Sequence, residues 1–232
     1  MSKLGIVCGL AFEAEVVDRA IRKLEPGPTV LITCSGPGPE RAREAATRLV
    51  EQGVDMLLSF GIACGLDPSM RTGAVIVASS LVGDNAPPCD GTWAVRLYEG
   101  LSSVFDVRRA PLAAARDVIT TPADKAALLQ ATNAAAADME SDGIAEAAAV
   151  GGLPFASLRV VCDTAGETIP PVAATAMADN GRVRMATTIL MVFVHPAQIP
   201  DLVRLGRRTA QAREVLEKLA GLGVPRLFFA DR

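Results

Sequence analysis

Three carboxylates fall within five residues of an alanine-rich run, AAAADMESDGIAEAAA (134–149): Asp138, Glu140 and Asp142, with Met139 and Ser141 between them. Acids among apolar neighbours either cap a helix or do chemistry. Here Asp138 reads as a cap, with Glu140 as a negative charge at the start of a helix. Asp163 stands at a strand exit in RVVCDTAGE, and Glu13 follows the first strand and its turn. Each has an ordinary role, as a turn acceptor or as a first-turn helix charge. A desolvated carboxyl at a strand exit can instead keep its proton near neutral pH and act as a general acid. Two glycine-bearing loops accompany these acids. SGPGPE holds Ser35 and Gly36, and FGIACGLDPSMRTG holds Gly61, Ile62 and Ala63. Glycine lets backbone approach a ligand closely, and the helix start after Pro39 offers N–H groups. Neither loop follows the Walker or GxGxxG pattern.

The elements that must position these residues alternate. KLGIVCGL, PTVLITCS, DMLLSFG, GAVIVASSLV and LPFASLRVVCD read as buried strands. EAEVVDRAIRKL and RAREAATRLVEQG read as helices, the second ended by glycine. The segment GDNAPPCDGT (83–92) reads as a long loop near the site. From about Ala173 the chain reads as mostly helix, broken at His195-Pro196 and resumed in AQIPDLVRLGRRTAQAREVLEKLAGLG. Alternation predicts an α/β protein with helices on both faces of a sheet containing parallel strands. Ligands of such sheets bind past the C-terminal strand ends, where Gly9 with Glu13, SGPGPE, SFGIACGLDP and RVVCDTAGE all fall.

Composition narrows the chemistry. The 232 residues suit one α/β domain, and a net charge of −3 gives no general attraction to nucleic acid. Aromatic residues make up only 4%, too few for a base-stacking platform. Five scattered cysteines without a CxxC pair, and a single histidine, argue against a disulfide framework, a zinc site or a serine–histidine–aspartate triad. No signal peptide is read at the start, and ATTILMVFV is far shorter than the ~20 residues of a membrane span. A cytoplasmic protein is expected.

Taken together, GIVCGLAFEAEVV, SGPGPERAREAA, LLSFGIACGLDPSMRTGAVIVAS, AADMESDGIAEAA and LPFASLRVVCDTA resemble the purine nucleoside phosphorylase and methylthioadenosine/adenosylhomocysteine nucleosidase superfamily. The resemblance runs from about residue 3 to 166, and LVRLGRRTAQAR looks most like the hopanoid-associated phosphorylases. It implies a single three-layer α/β/α domain over 1–232, with a mixed central sheet and a helical extension at about 197–222. It also implies cleavage of the bond between C1′ of ribose and a purine nitrogen. Asp163 matches the acid that protonates the departing base, with Arg159 helping to position it. Glu140 matches the acceptor of the ribose hydroxyls, and Met139 packs on the sugar. Thr121, Pro122 and Ala123 fall where backbone contacts to the base are expected. On this alignment Ser141 and Asp142 cap the helix. No cofactor or metal is implied, and a homodimer or larger homo-oligomer is.

Glu13 aligns with the glutamate that activates water in the hydrolytic branch. Phosphorolytic relatives place arginines near this loop and at the position of Ser59, whereas here the first arginine is Arg19. A phosphate dianion seeks cations or several N–H groups, and an anionic Glu13 repels it. Hydrolysis is therefore expected over phosphorolysis. The resemblance points to adenosylhopane as substrate, with methylthioadenosine, adenosylhomocysteine and futalosine as alternatives. A non-catalytic nucleoside-binding protein is the remaining reading. Ile199, Leu202, Val203, Gly206 and Ala210 recur at helical spacing. Between Pro200 and Lys218 five basic residues face three acidic ones, so peripheral contact with the inner membrane through this helix is a further expectation.

Overall fold

The computed structural model describes residues 3–23, 29–83, 86–170, 173, 181 and 198–222. Seven strands form one sheet: β1 (Lys3–Cys8), β2 (Thr29–Cys34), β3 (Met56–Gly65), β4 (Val75–Val82), β5 (Val107–Ala114), β6 (Ala136–Asp138) and β7 (Phe155–Asp163). Six helices lie among the described residues: α1 (Ala11–Arg22), α2 (Pro39–Glu51), α3 (Gly91–Ser102), α4 (Pro122–Thr132), α5 (Ser141–Gly151) and α6 (Ile199–Gly221). ATTILMVFV, His195-Pro196 and most of the helix expected from Ala173 lie outside the described residues.

Local chemistry sets the boundaries. Asp90 caps α3 by accepting the Trp93 N–H at 2.8 Å, and the Thr121 hydroxyl caps α4 by accepting that of Asp124 at 3.1 Å. Pro39 and Pro122 open their helices where a missing N–H costs nothing. Helix α3 takes over the last residues of the expected loop 83–92, because Asp90 supplies a cap and Trp93, Ala94, Leu97 and Leu101 supply a buried stripe.

The sheet is mixed, in the order β2-β1-β3-β6-β5-β4-β7, and β7 also pairs with β3. Five strands thus close a ring, with β1 and β2 extending from β3 as a wing. Alternation of apolar residues alone does not specify that closure. Pairing is parallel for β1–β2, β1–β3, β3–β7, β4–β5 and β5–β6, and antiparallel for β3–β6 and β4–β7.

Two apolar layers flank the sheet. Leu4, Ile6 and Cys8 of β1 point with Leu158 and Val160 of β7 towards α1, α3 and α6. Val7 and Val161 point the other way, towards α2 and α5. The period-two alternation of the strands is what divides the layers. Every residue of β7 is buried, so polar groups on it must find partners inside the protein.

Candidate active site

Residues 157, 159, 161 and 163 share one face of β7, and Arg159 and Asp163 anchor two separate polar clusters on it. Four residues of strand put them about 13 Å apart along the backbone.

The first cluster is built around Arg159, which is 1% exposed. Its Nη2 lies 2.5 Å from Asp138 Oδ2 and 3.6 Å from Glu140 Oε2, and donates to Ser59 Oγ at 2.5 Å. Glu13, also 1% exposed, accepts the Leu10 N–H at 2.9 Å on Oε2 and the Ile62 N–H at 2.8 Å on Oε1. The first turn of α1 carries this carboxylate under β3, where Gly61 leaves space for it. A Cβ at Gly61 would sit 2.6 Å from both Glu13 Oε1 and Arg159 Nη1. Gly9 does the same for Glu140, whose Cδ would lie 2.8 Å from a Cβ there. Glycine at both positions is thus dictated by the approach of backbone to a carboxylate.

Glu140 sits at the junction between β6 and α5 and accepts the Gly38 N–H at 3.4 Å. The SGPGPE loop therefore reaches the site through its backbone, while Ser35 is used internally, donating to Gly36 O at 2.6 Å. Gly36 itself takes a positive φ, 79°, which the turn requires. Met139 is half-buried beside Glu140.

Three carboxylates surround one guanidinium here. Burial pushes the Glu13 carboxyl up, against the pull of Arg159 and of the Ile62 and Leu10 amides. Burial also pushes Glu140 up to about 8; Arg159 opposes the rise, and Asp138 and Glu13 add to it. Glu140 so placed can take up a proton near neutral pH.

Asp138 accepts the first amide of α5, that of Ser141, at 3.2 Å, while the N-cap position itself is Glu140. Ser141 departs from its expected role. Its hydroxyl donates to Asp138 Oδ2 and lies 3.0 Å from Ser59 Oγ and 2.9 Å from Ser157 Oγ, inside the arginine cluster. A capping hydroxyl normally turns to the helix backbone, but Ser141 is the first residue of α5 and its buried hydroxyl finds four side-chain partners, Arg159 Nη2 donating to it at 3.2 Å.

In the second cluster the ion-pair partner of Asp163 is not Arg159, which was expected to help position it and which binds the first cluster instead. That partner is Lys125, which the sequence reading did not single out. Lys125 is fully buried, with its Nζ donating to Asp163 Oδ2 at 2.5 Å, Thr164 O at 2.7 Å and Glu167 O at 2.8 Å. It is the one buried residue of α4. Thr121, the cap of this helix, is half-buried, and Pro122 and Ala123 are exposed on its first turn. The turn after β7 is fixed further: the Thr164 N–H donates to Glu167 Oε2 at 2.8 Å, and Arg208 of α6 pairs with Glu167 Oε1 at 2.7 Å. The strand pairing shifts register between Ala63 and Cys64, beside Asp163. Such irregularities re-aim side chains at strand ends.

A signal for Lys125 was present. Lys125, Leu128, Leu129 and Thr132 stand at i, i+3, i+4 and i+7, and both leucines pack against the apolar cluster of Leu66, Ala113, Ala134 and Ala137. A lysine on the inward stripe of a helix needs a buried acceptor.

On α6 the buried face is Ala212, Leu216, Leu219 and Ala220, packed on α1 and β7. The expected stripe of Ile199, Leu202, Val203, Gly206 and Ala210 is mostly exposed, with Ile199 at 42% and Val203 at 49%. Among the described residues no helix is long and apolar enough to cross a membrane, and no group of three potential ligands could hold a metal ion.

The family model of the Phosphorylase superfamily matches residues 4–192. Solved structures agree in fold. The 5′-methylthioadenosine/S-adenosylhomocysteine nucleosidase of Helicobacter pylori is 14% identical with a TM-score of 0.67, over 94% of this chain and 97% of that one. The same kind of nucleosidase from Colwellia psychrerythraea, solved with adenine, is 20% identical with a TM-score of 0.66, over 81% and 94%. Futalosine hydrolase of Helicobacter pylori is 17% identical with a TM-score of 0.61, over 70% and 88%. No curated protein matches the sequence. With most of its length under that family model, and with nucleosidases sharing its fold, the chain belongs to the Phosphorylase superfamily.

Proposed function

We propose that the protein hydrolyses the N-glycosidic bond of a 5′-substituted adenosine and releases adenine. The observation that carries this reading is the charge of the arginine cluster. Glu13, Asp138 and Glu140 surround one guanidinium, and that guanidinium is committed to Asp138, Glu140 and Ser59. A phosphate dianion brought there meets a surplus of negative charge, whereas a water molecule meets a base. Glu13 is then the group that takes the proton from water. Glu140 accepts from the ribose hydroxyls, with Met139 against the sugar, and Asp163 faces the departing purine. In this reading residues 1–232 work as one domain, and α6 extends it.

The test is product analysis with 5′-methylthioadenosine and with adenosylhopane, each with and without phosphate. Adenine and a free ribosyl product are expected in the absence of phosphate. Turnover that depends absolutely on phosphate and yields a ribose 1-phosphate would reject hydrolysis in favour of phosphorolysis. Adenosylhopane is the proposed substrate because of the hopanoid-type resemblance of LVRLGRRTAQAR and the exposed Ile199 and Val203 beside Arg204 and Arg207 on α6. A preference for methylthioadenosine or futalosine would reject that part alone. The same helix motivates peripheral membrane contact. Salt-sensitive co-sedimentation with anionic vesicles is expected, and absence of binding rejects it. A homodimer or larger assembly rests on the resemblance, and light scattering showing a monomer would reject it.

A further inference from the structure

Lys125 has no part in the reading given above, yet it is the most unusual side chain of its helix. Lysine is almost never fully buried unless paired. Its neighbours on α4, Asp124 and Ala126, are exposed, so burial is specific to this position. The three hydrogen bonds of its ammonium use every proton it has: one to Asp163 Oδ2 and two to the carbonyls of Thr164 and Glu167. It thus fixes both the carboxylate and the turn that follows it. The other polar groups around the pair are accounted for. Cys64 lies beside Asp163, and its thiol is pushed up by burial and by that carboxylate. Cys162 contacts Thr209 at 3.6 Å. The Glu167 carboxylate belongs to Arg208 and the Thr164 amide, and Asp124 to Thr121. No other cation reaches Asp163 among the described residues.

Resting on the nucleosidase reading, we infer that Lys125 is a positioning residue for the leaving base: it orients Asp163 through Oδ2 and supplies the proton that departs with the purine. As the C1′–N bond breaks, its electron pair passes into the purine. One proton moves from the Lys125 ammonium to the Asp163 carboxylate, and one moves from that carboxyl group to a purine nitrogen. Lys125 is left as a neutral amine and Asp163 regains its carboxylate. The water that adds to C1′ gives a proton to Glu13; Glu13 then releases that proton to solvent, and solvent returns one to Lys125. No oxidant, metal or second substrate enters the balance.

The experiment compares two leaving groups on the full chain: adenine, from 5′-methylthioadenosine, and nitrophenolate, from p-nitrophenyl ribofuranoside, which leaves without being protonated. Lys125→Met should lower kcat for adenine release about 100- to 1,000-fold, the range of a lost general-acid path, with KM within about threefold. The loss with the nitrophenyl riboside should be at least about 30-fold smaller. In an Asp163→Asn background, adding Lys125→Met should lower adenine release by less than about threefold further, because the two act as one unit. Should Lys125→Met fail to fold, Lys125→Gln, which keeps a donor towards Oδ2 but has no transferable proton, carries the same expectations. Equal losses on both substrates, or full additivity in the Asp163→Asn background, would show a purely structural lysine and overturn the inference. Unchanged adenine release would overturn it as well. A wild-type chain that cleaves neither substrate would instead overturn the nucleosidase reading itself.

Discussion

The two polar clusters on β7 differ in their charge balance. Around Arg159 three carboxylates face one cation, and around Asp163 one carboxylate faces one cation. Burial raises Glu13 and Glu140, with Asp138 and Glu13 adding to the rise of Glu140, and makes that end the stronger proton acceptor. At the other end the Lys125 ammonium balances the Asp163 carboxylate, the pair proposed above to deliver the proton to the base. A reaction that takes a proton from water at one end of a nucleoside and gives one to the base at the other needs such an asymmetry. The strand itself supplies it, because Arg159 and Asp163 stand four residues apart on one face and each meets a different set of elements.

Breaking the acceptor end should have the largest effect. Glu13→Gln is expected to lower kcat about 100- to 10,000-fold with little change in KM. Unlike Lys125→Met, it should do so equally for adenine and nitrophenyl substrates. Steady-state kinetics on the two ribosides checks this. A selective loss for adenine would place Glu13 at the leaving-group end.

The packing of the two ends gives a second comparison, of intermediate size. Gly61→Ala drives a methyl to 2.6 Å from Glu13 and Arg159, and should destabilise by about 1–3 kcal/mol. Gly65→Ala, near Asp163, meets Val161 at 3.0 Å and the Asp163 carbonyl at 3.1 Å, and should be milder. Urea unfolding of both variants checks the order, and the reverse order would mean that the lysine end is the more rigid.

The last comparison concerns pH. The Glu140 carboxyl rises on folding from its ordinary value of 4.5 to about 8. Between these values the folded chain binds the extra proton, so this group's contribution to stability is full below the lower value and declines as pH rises towards the upper one. Melting temperature should therefore fall between about pH 5 and 8. Glu140→Gln should flatten that slope, and an unchanged slope would assign it to another group.

Part of the site was legible because alternation placed β1, β3 and β7: Glu13 follows β1 in the first turn of α1, and Asp163 ends β7. The expected loop holding Gly61, Ile62 and Ala63 is instead the continuation of β3, which runs to Gly65 because its residues pair with β7. Asp138 as acceptor of the first amide of α5 and Glu140 at a strand–helix junction also follow from local chemistry. What was not legible is which charges pair. Arg159 and Asp163 are close in sequence and share a face, yet four residues of extended chain separate them further than a guanidinium spans. Lys125 comes from a helix 38 residues upstream of Asp163 and looks like any solvated lysine until α4 is seen to turn it inward. The position of Ser141 next to a helix start marks it as a cap. Its real partners, Ser59 and Ser157, arrive from two other strands. Pairings made by tertiary contact leave no local signature.

The closed ring of strands also dictates an order of events during synthesis. The edge of β3 that meets β7 pairs Leu57 with Phe155, so 98 residues must be added before its partner exists. At ribosomal speeds that interval is about 5–20 s, during which an apolar strand edge stays open. Sheet closure is therefore a late, long-range step in folding, and a nascent chain halted before Phe155 presents β3 to its neighbours as a template for aggregation.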